Sequence, residues 1–219
     1  MLQIKNIKCS SLTLQELFNL LPKYFRENGL TELLIDRLPI GIVIDDRALK
    51  HLLRLTNNLK KLSFRHLEAI NKESLQNLIL KIANILLAEP PNLTELDFCR
   101  LGGSDEEGLE ILEAIYETDL KIKRFNISEN PTWAQSPDYA GKLSIFFSKQ
   151  EELEAINLSY NQEQASQVKP VIESLRSSPS TSTSLKSVAL EGVKWSTSDA
   201  KDILFPFVLE APNLERVEI

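Results

Sequence analysis

The stretch NLTELDFCRL, Asn92 to Leu101, has an unusual apolar pattern. Its apolar side chains are Leu93, Leu96, Phe98 and Leu101, with polar residues and Cys99 between them. An amphipathic helix would place apolar residues at i, i+3, i+4 and i+7, and a half-buried strand would alternate them strictly. This stretch does neither, which raises the possibility that it is one copy of a repeat.

The same pattern recurs along the chain at intervals of about 30 residues. The clear copies begin at positions 30, 59, 93, 122, 153, 185 and 214, so successive spacings are 29, 34, 29, 31, 32 and 29 residues. A degenerate copy, LQIKNI, begins at Leu2. Because self-similarity at a period of about 20 to 50 residues is typical of repeat architectures, the sequence predicts a repetitive fold.

Helical patterns lie between the short segments. Ser104 and Glu107 form a capping box before an amphipathic run, and Ser196 and Asp199 form a looser one. Ser136 precedes Pro137 and is the predicted N-cap of another helix. The repeating unit is therefore a strand, a loop, a helix and a second loop.

The pattern L-x-x-L-x-L followed by a helix resembles the leucine-rich repeat, in its long, ribonuclease-inhibitor-like class. The resemblance covers nearly the whole chain, from about residue 2 to Ile219. Family members usually carry Asn or Cys at the ninth position of the repeat. Two copies of this chain match that pattern, with Asn130 and Asn161. Four other copies depart from that pattern: Leu38, Leu67, Leu101 and Val193.

The resemblance implies an α/β fold, a leucine-rich-repeat solenoid or horseshoe. Its parallel β-sheet would line the concave face and its α-helices the convex face, in about seven to eight repeats. A single strand-helix unit cannot bury its apolar face alone, so neighbouring units must stack into one core. We therefore expect one domain over residues 1–219, with strands starting near residues 2, 30, 59, 93, 122, 153, 185 and 214. The first, fourth and sixth positions of each copy should point inward.

Side chains alternate across a strand, so the third, fifth and seventh positions should project from the concave surface. The third positions alternate in charge as Glu32, Lys61, Glu95 and Arg124. This series has two interpretations, a structural cross-strand charge ladder and a recognition strip for a partner of complementary charge. The eighth positions end each strand and carry Arg and Tyr, which are common interface anchors. The candidate protein-binding residues are Arg37, Arg65, His66, Glu95, Asp97, Arg100, Arg124, Asn126, Asn157 and Tyr160.

The sequence contains few residues that suggest catalysis. His66 and Cys99 fall on neighbouring strands, and such a pair is a candidate nucleophile, but a sheet surface offers it no enclosing pocket. His51 is predicted to lie on a helix beside its apolar stripe. The histidines and cysteines show no usual metal-ligand spacing, so we expect no metal site, no cofactor and no enzymatic activity. Trp133 and Trp195 are predicted to be partly buried lids on the core.

Composition excludes several classes of protein. The net charge is −6 and the pI about 5.2, which argues against nucleic-acid binding and against a polybasic membrane surface. Two cysteines fit a reducing compartment, and the N-terminal segment has no secretory signal pattern. The expected location is the cytoplasm, or a host cell reached by a signal-free secretion route.

The predicted function is that of a non-catalytic protein–protein interaction module that binds a protein partner through the concave face or its rim. A bacterial effector and a scaffold are two settings for such a module. The alternative is the substrate-recognition part of a larger enzyme complex or of a longer chain. The last copy, LERVEI, motivates this alternative because it ends in a strand without a following helix. That edge strand would self-associate, be covered by a partner or be continued by further chain.

Overall fold

The computed structural model describes residues 2–5, 31–36, 39–40, 59–69, 80, 82–83, 86, 92–178 and 183–219. These residues form an α/β fold with an eight-stranded parallel sheet and a separate parallel pair of two-residue strands. In the large sheet the strands lie side by side in the order in which they occur along the chain. The strands are β1 (Leu2–Lys5), β2 (Glu32–Asp36), β3 (Pro39–Ile40), β4 (Lys61–Arg65), β5 (Glu68–Ala69), β6 (Glu95–Asp97), β7 (Arg124–Asn126), β8 (Ala155–Asn157), β9 (Ser187–Ala189) and β10 (Arg216–Glu218). The two-residue pair is β3 with β5.

The register between strands follows the repeat. The third-position residues face one another across seven neighbouring strands, as predicted: Glu32, Lys61, Glu95, Arg124, Ala155, Ser187 and Arg216. The first copy is different, because Leu2 pairs with Leu33, a fourth-position residue. The prediction of a strand starting near residue 2 is confirmed by the bounds of β1, but Leu2 holds a fourth position rather than a first. In the same register Ile4 pairs with Ile35.

The core lies on one side of the large sheet and is built from the predicted positions. In the opening stretch, Leu93, Leu96 and Phe98 are at most 1% exposed. The same three positions are buried in the copies that begin at residues 59, 122, 153 and 185. Burial of each such side chain stabilises the folded state by about 1.5 to 3 kcal/mol relative to its exposure to water. The last copy is the exception, since Ile219 is 63% exposed and β10 pairs on one side only within the described sheet.

Helices connect successive strands of the second half. They are α1 (Asp105–Glu117), α2 (Tyr139–Lys149), α3 (Ala165–Ser177), α4 (Thr197–Asp199) and α5 (Phe205–Glu210), with a π-helical segment Ala200–Leu204 between α4 and α5. Both predicted capping boxes form: Ser104 with Glu107, and Ser196 with Asp199. The prediction for Ser136 is wrong, because α2 begins three residues later. The hydroxyl of Ser136 instead accepts a hydrogen bond from the N–H of Asp138 in the preceding turn.

Trp133 is fully buried, which extends the prediction of a partly buried lid. It begins a 3-10 turn, Trp133–Gln135, and its Nε1–H donates to the carbonyl of Gly102 at 2.8 Å. Gly108 on α1 makes room for the indole, since a Cβ there would lie 2.3 Å from Trp133 Cγ. Trp195 is half-buried and packs against the core, as predicted.

The two ninth-position asparagines join the strand ends of three copies. Asn130 is 1% exposed, and its Nδ2 donates to the carbonyls of Phe98, Ile127 and Ser128 at 2.8 to 3.0 Å. Its Oδ1 accepts from the N–H of Gly102 at 3.1 Å, so it serves the loop of the preceding copy, which has Leu101 at the ninth position. Asn161 Oδ1 accepts from the N–H of Asn130 at 2.7 Å.

Backbone hydrogen bonds join the turns of successive copies, both those that have a ninth-position asparagine and those that lack it. In each of four successive copies the eighth-position N–H donates to the seventh-position carbonyl of the next copy, as from His66 N to Cys99 O at 3.1 Å. The donors are His66, Arg100, Glu129 and Tyr160. The ladder between copies therefore continues beyond the strands, so the turns at this edge are held in register.

Candidate functional site

A polar groove lies on the face of the sheet that points away from the core. It crosses β4, β6, β7, β8, β9 and β10 and has a volume of about 240 Å³. Six of the ten candidate residues line it: Arg65, Glu95, Asp97, Arg124, Asn126 and Asn157. Lys61, Ser187 and Glu218 line it as well. Eight of these nine residues occupy third or fifth positions of their copies and Arg65 occupies a seventh position, so the repeat register was the sequence signal that pointed to them.

The third-position charges form a ladder across β4, β6 and β7. Lys61 Nζ lies 3.1 Å from Glu95 Oε2, and Arg124 Nε lies 3.9 Å from Glu95 Oε1. These side chains remain partly accessible to water, so each pair contributes about 0.2 to 1 kcal/mol. The charges on these three strands therefore lie close enough to form the cross-strand ladder that the structural interpretation expects. Because the energies are small, the charges also stay available to a partner.

Asp97 organises the centre of the groove. Arg65 Nε donates to Asp97 Oδ2 at 2.5 Å, and its Nη2 contacts the same oxygen. The other carboxylate oxygen accepts from Asn126 Nδ2 at 3.1 Å and from the N–H of Cys99 at 3.3 Å. Asp97 is only 5% exposed, so this charge is buried and fully bonded. Arg65 and Asn126 are the groups through which the network reaches solvent.

Asn157 has hydrogen-bonding capacity left within the groove. Its Oδ1 accepts from the N–H of Ser159 at 3.0 Å. Its Nδ2 has no hydrogen-bond partner within the described part of the chain, and the residue is half-exposed. Two N–H donors on a carboxamide can bind carbonyl oxygens of a ligand.

Several fifth- and seventh-position residues are buried, although Asp97 and Ala189 among them still line the groove. Ser63, Asp97 and Ala189 are buried at the fifth position, and Cys99, Ser128 and Ser159 at the seventh. From β6 onward the strands end at the fifth position, so the seventh lies in a turn and does not alternate as a strand residue would. Neighbouring parallel strands are also only about 4.8 Å apart, so a long side chain covers a small one beside it.

The eighth-position residues share a left-handed backbone. The values of φ are 48° for His66, 49° for Arg100, 59° for Glu129, 59° for Tyr160 and 84° for Gly192. This conformation costs a residue with a Cβ roughly 1 to 2 kcal/mol. The inter-copy hydrogen bonds from the eighth-position N–H groups hold it in place. Gly192, which tolerates positive φ, is the only sequence signal for it.

The turns therefore present a row of side chains at one edge of the sheet. Arg100 and Tyr160 are exposed there, Tyr160 by 55%, and the Tyr160 ring lies over Gly192, where a Cβ would be 2.6 Å from Tyr160 Cδ1. His66 is half-buried at the same edge. Arg37, the remaining candidate, lies outside the described residues, as do His51 and Cys9.

Three turns bring together residues that are far apart in the sequence. Cys99 Sγ lies 3.6 Å from Glu129 Oε1, and His66 Nδ1 lies 3.0 Å from Asp36 Oδ1. One side-chain atom each of His66, Cys99 and Glu129 falls within 4.8 Å of the other two. Burial raises the pKa of the Cys99 thiol, and the Glu129 and Asp97 carboxylates raise it further although a hydrogen bond with Ser128 lowers it. A nucleophilic cysteine needs a lowered pKa, so the arrangement disfavours the Cys–His nucleophile hypothesis.

No protein-family model matches the chain, and no curated protein sequence matches it. Among the helices of the described residues, none is both long and apolar enough to cross a bilayer.

Proposed function

We propose that the chain is a leucine-rich-repeat solenoid of the ribonuclease-inhibitor-like class that binds a segment of a partner protein in its polar groove. In this proposal residues 1–219 form one domain, and the sheet face that carries the groove is the concave face. The single observation that carries the proposal is the groove itself, which crosses six strands and is lined by paired charges and amides. The protein is a non-catalytic interaction module that acts in the cytoplasm, its own or that of a host cell.

The dimensions of the groove favour an extended polypeptide segment. Six parallel strands span five intervals of about 4.8 Å, or about 24 Å. An extended chain rises about 3.3 Å per residue, so about seven residues would fill that length. Asn157 supplies amide donors for main-chain carbonyls, whereas Arg65 and Arg124 supply cations and Glu95 and Glu218 anions for side chains. A short segment with charges of both signs fits this lining better than an apolar helix does.

The test uses a library of displayed seven-residue peptides and two charge-reversal variants. The groove variant carries Lys61→Glu, Glu95→Lys and Arg124→Glu. The control variant carries Lys169→Glu, Glu163→Lys and Lys194→Glu, which are exposed residues outside the groove lining. Both variants change the net charge by the same amount and sign, so a general electrostatic effect alters both equally.

We expect wild type and control variant to enrich the same peptide family, and the groove variant to bind those peptides at least about tenfold more weakly. Binding that is equal in all three proteins would remove the groove from the proposal. Absence of any enrichment by wild type would contradict recognition of short segments. The partner is then identified by co-purification from the native cell with the groove variant as the negative control.

A second candidate function is the substrate-recognition part of a larger enzyme complex or longer chain. It is favoured by apolar side chains that lie exposed on α5 and just after β10: Phe205, Val208, Leu209 and Ile219. Leu209 is 84% exposed. Exposed apolar side chains, together with a sheet edge that has no partner strand within the described residues, favour coverage by another polypeptide segment, whether further chain, a second copy or another subunit.

Light scattering after size-exclusion chromatography tests this second candidate. We expect wild type to form concentration-dependent oligomers and Leu209→Lys to reduce them. A monomer at all concentrations would contradict self-association and leave coverage by another chain to be tested by co-purification.

A further inference from the structure

We propose that His66, Cys99 and Glu129 form a binding site for a zinc ion at the edge of the sheet where the strands end. The three residues come from the turns after β4, β6 and β7, at seventh and eighth positions of successive copies. The spacing in sequence, 66 to 99 to 129, matches no zinc motif. Parallel strands nevertheless place residues about 30 apart side by side, because each copy repeats the position of the last.

The distance between sulfur and oxygen fits a shared zinc ion. Zinc binds thiolate sulfur at about 2.3 Å and carboxylate oxygen at about 2.0 to 2.2 Å in tetrahedral sites. Those bond lengths separate the two ligand atoms by about 3.6 Å. Cys99 Sγ and Glu129 Oε1 are 3.6 Å apart.

The imidazole of His66 is oriented as zinc-binding imidazoles usually are. Its Nδ1 lies 3.0 Å from Asp36 Oδ1, so Nδ1–H donates to the carboxylate and Nε2 keeps its lone pair for a cation. One ring nitrogen of His66, the sulfur of Cys99 and one carboxylate oxygen of Glu129 lie within 4.8 Å of one another. A shift of about 1 Å brings them to tetrahedral spacing. His66 and Glu129 are only partly buried and can make that shift, whereas Cys99 is buried.

The chemistry of the donors selects the metal. One sulfur, one nitrogen and one oxygen suit Zn²⁺ better than Ca²⁺ or Mg²⁺, which take oxygen ligands. The partial exposure of His66 and Glu129 leaves the fourth position to water.

Two guanidinium groups lie close to the cluster and oppose a cation. Arg65 is held by Asp97, so its charge is balanced within the groove. Arg100 Nη1 lies 3.9 Å from Glu129 Oε2 and competes directly for the carboxylate. Removing the charge of Arg100 should therefore strengthen metal binding, an effect that a cation bound elsewhere on the surface would not share.

The experiment titrates tag-free, chelator-treated protein with Zn²⁺ against a chromophoric chelator, and with Co²⁺ as a spectroscopic probe. We expect one Zn²⁺ per chain and a thiolate-to-cobalt charge-transfer band. Three variants should each lower the affinity for Zn²⁺ at least about tenfold: Cys99→Ser, His66→Asn and Glu129→Gln. Asparagine is used at His66 because it tolerates the left-handed backbone. Cys9→Ser and His51→Ala are the matched controls and should bind as wild type does.

Two further variants separate a built site from chance binding. Asp36→Asn should lower the affinity for Zn²⁺ about tenfold to a hundredfold, because the imidazole of His66 loses the carboxylate that orients it. Arg100→Gln should raise the affinity for Zn²⁺. A cobalt spectrum of wild type without the thiolate band would overturn the proposal regardless of how the variants fold. Loss of binding in Cys9→Ser equal to that in Cys99→Ser would overturn it as well. Thermal unfolding of wild type should shift upward with Zn²⁺, and an unchanged midpoint at saturating metal would count against binding to the folded state.

Discussion

Replacing Asn130 by alanine tests whether the asparagine ladder holds the copies together. The carboxamide bonds four backbone groups of two successive copies. Two of the carbonyls keep another partner, because Ser128 O accepts from Arg100 N and Ile127 O from Asn161 Nδ2. The carbonyl of Phe98 and the N–H of Gly102 lose the partner that Asn130 supplies.

The expected loss of unfolding free energy is about 3 kcal/mol. A net hydrogen bond contributes about 1 kcal/mol, and a buried group left without a partner costs about 1 to 3 kcal/mol. Phe98 is fully buried and its carbonyl takes the larger penalty, whereas Gly102 is half-exposed and water partly replaces the lost acceptor. Asn130→Asp keeps the shape but brings a carboxylate against carbonyl oxygens, so it should cost more than alanine at neutral pH.

Urea unfolding followed by circular dichroism measures both variants, with Asn92→Ala as the control because Asn92 is an exposed asparagine. The control should change the unfolding free energy by no more than about 0.5 kcal/mol. A loss below about 1 kcal/mol for Asn130→Ala, or an aspartate variant as stable as wild type, would refute the reasoning.

Three other outcomes follow from the described residues. Gly108→Ala should lower the free energy of unfolding by about 1 to 3 kcal/mol, because the added methyl group overlaps Trp133. Gly141→Ala on α2 should raise it by about 0.5 to 1 kcal/mol, because no atom lies within 4 Å of the added methyl group. Equal effects of the two substitutions in urea unfolding would contradict this. Burial raises the pKa of Tyr139. Since the folded phenol holds its proton more tightly than the unfolded one, stability should be full below about pH 10 and fall as pH rises above it, and Tyr139→Phe should remove that slope. A wild-type free energy that stays flat through this range would contradict the assignment. Glu95→Gln should change stability by less than about 1 kcal/mol, because its two ion pairs are partly exposed, and a larger loss in thermal unfolding would make the charge ladder structural.

Much of the fold was predictable because the spacing of apolar residues determines which side chains enter the core. The register of seven strands followed from counting third positions, and the burial of Leu93, Leu96 and Phe98 followed from the same count. The first copy escaped this reasoning because LQIKNI has apolar residues at its first, third and sixth positions, whereas the other copies have them at the first, fourth and sixth. The start of α2 escaped it because the side chain of Ser136 caps a turn rather than the helix.

For the candidate site, the sequence predicted which residues share a face of the sheet but not how deeply each side chain is buried. Six of ten candidate residues line the groove because alternation along a strand determines which side chains share a face. Sequence reasoning did not anticipate the burial of Asp97 and Cys99, which depends on how long neighbouring side chains lie across a sheet with strands about 4.8 Å apart.

Local periodicity in the sequence predicted the repeat and the composition of the core, and the resemblance to leucine-rich repeats implied the parallel arrangement of the strands. The left-handed turns at the eighth positions and the contacts made there follow from the tertiary structure alone. The tertiary structure also placed His66, Cys99 and Glu129 within reach of one another. The physical reason is that contacts between residues about 30 apart depend on turn geometry and on the stagger between copies, which no single stretch of sequence contains.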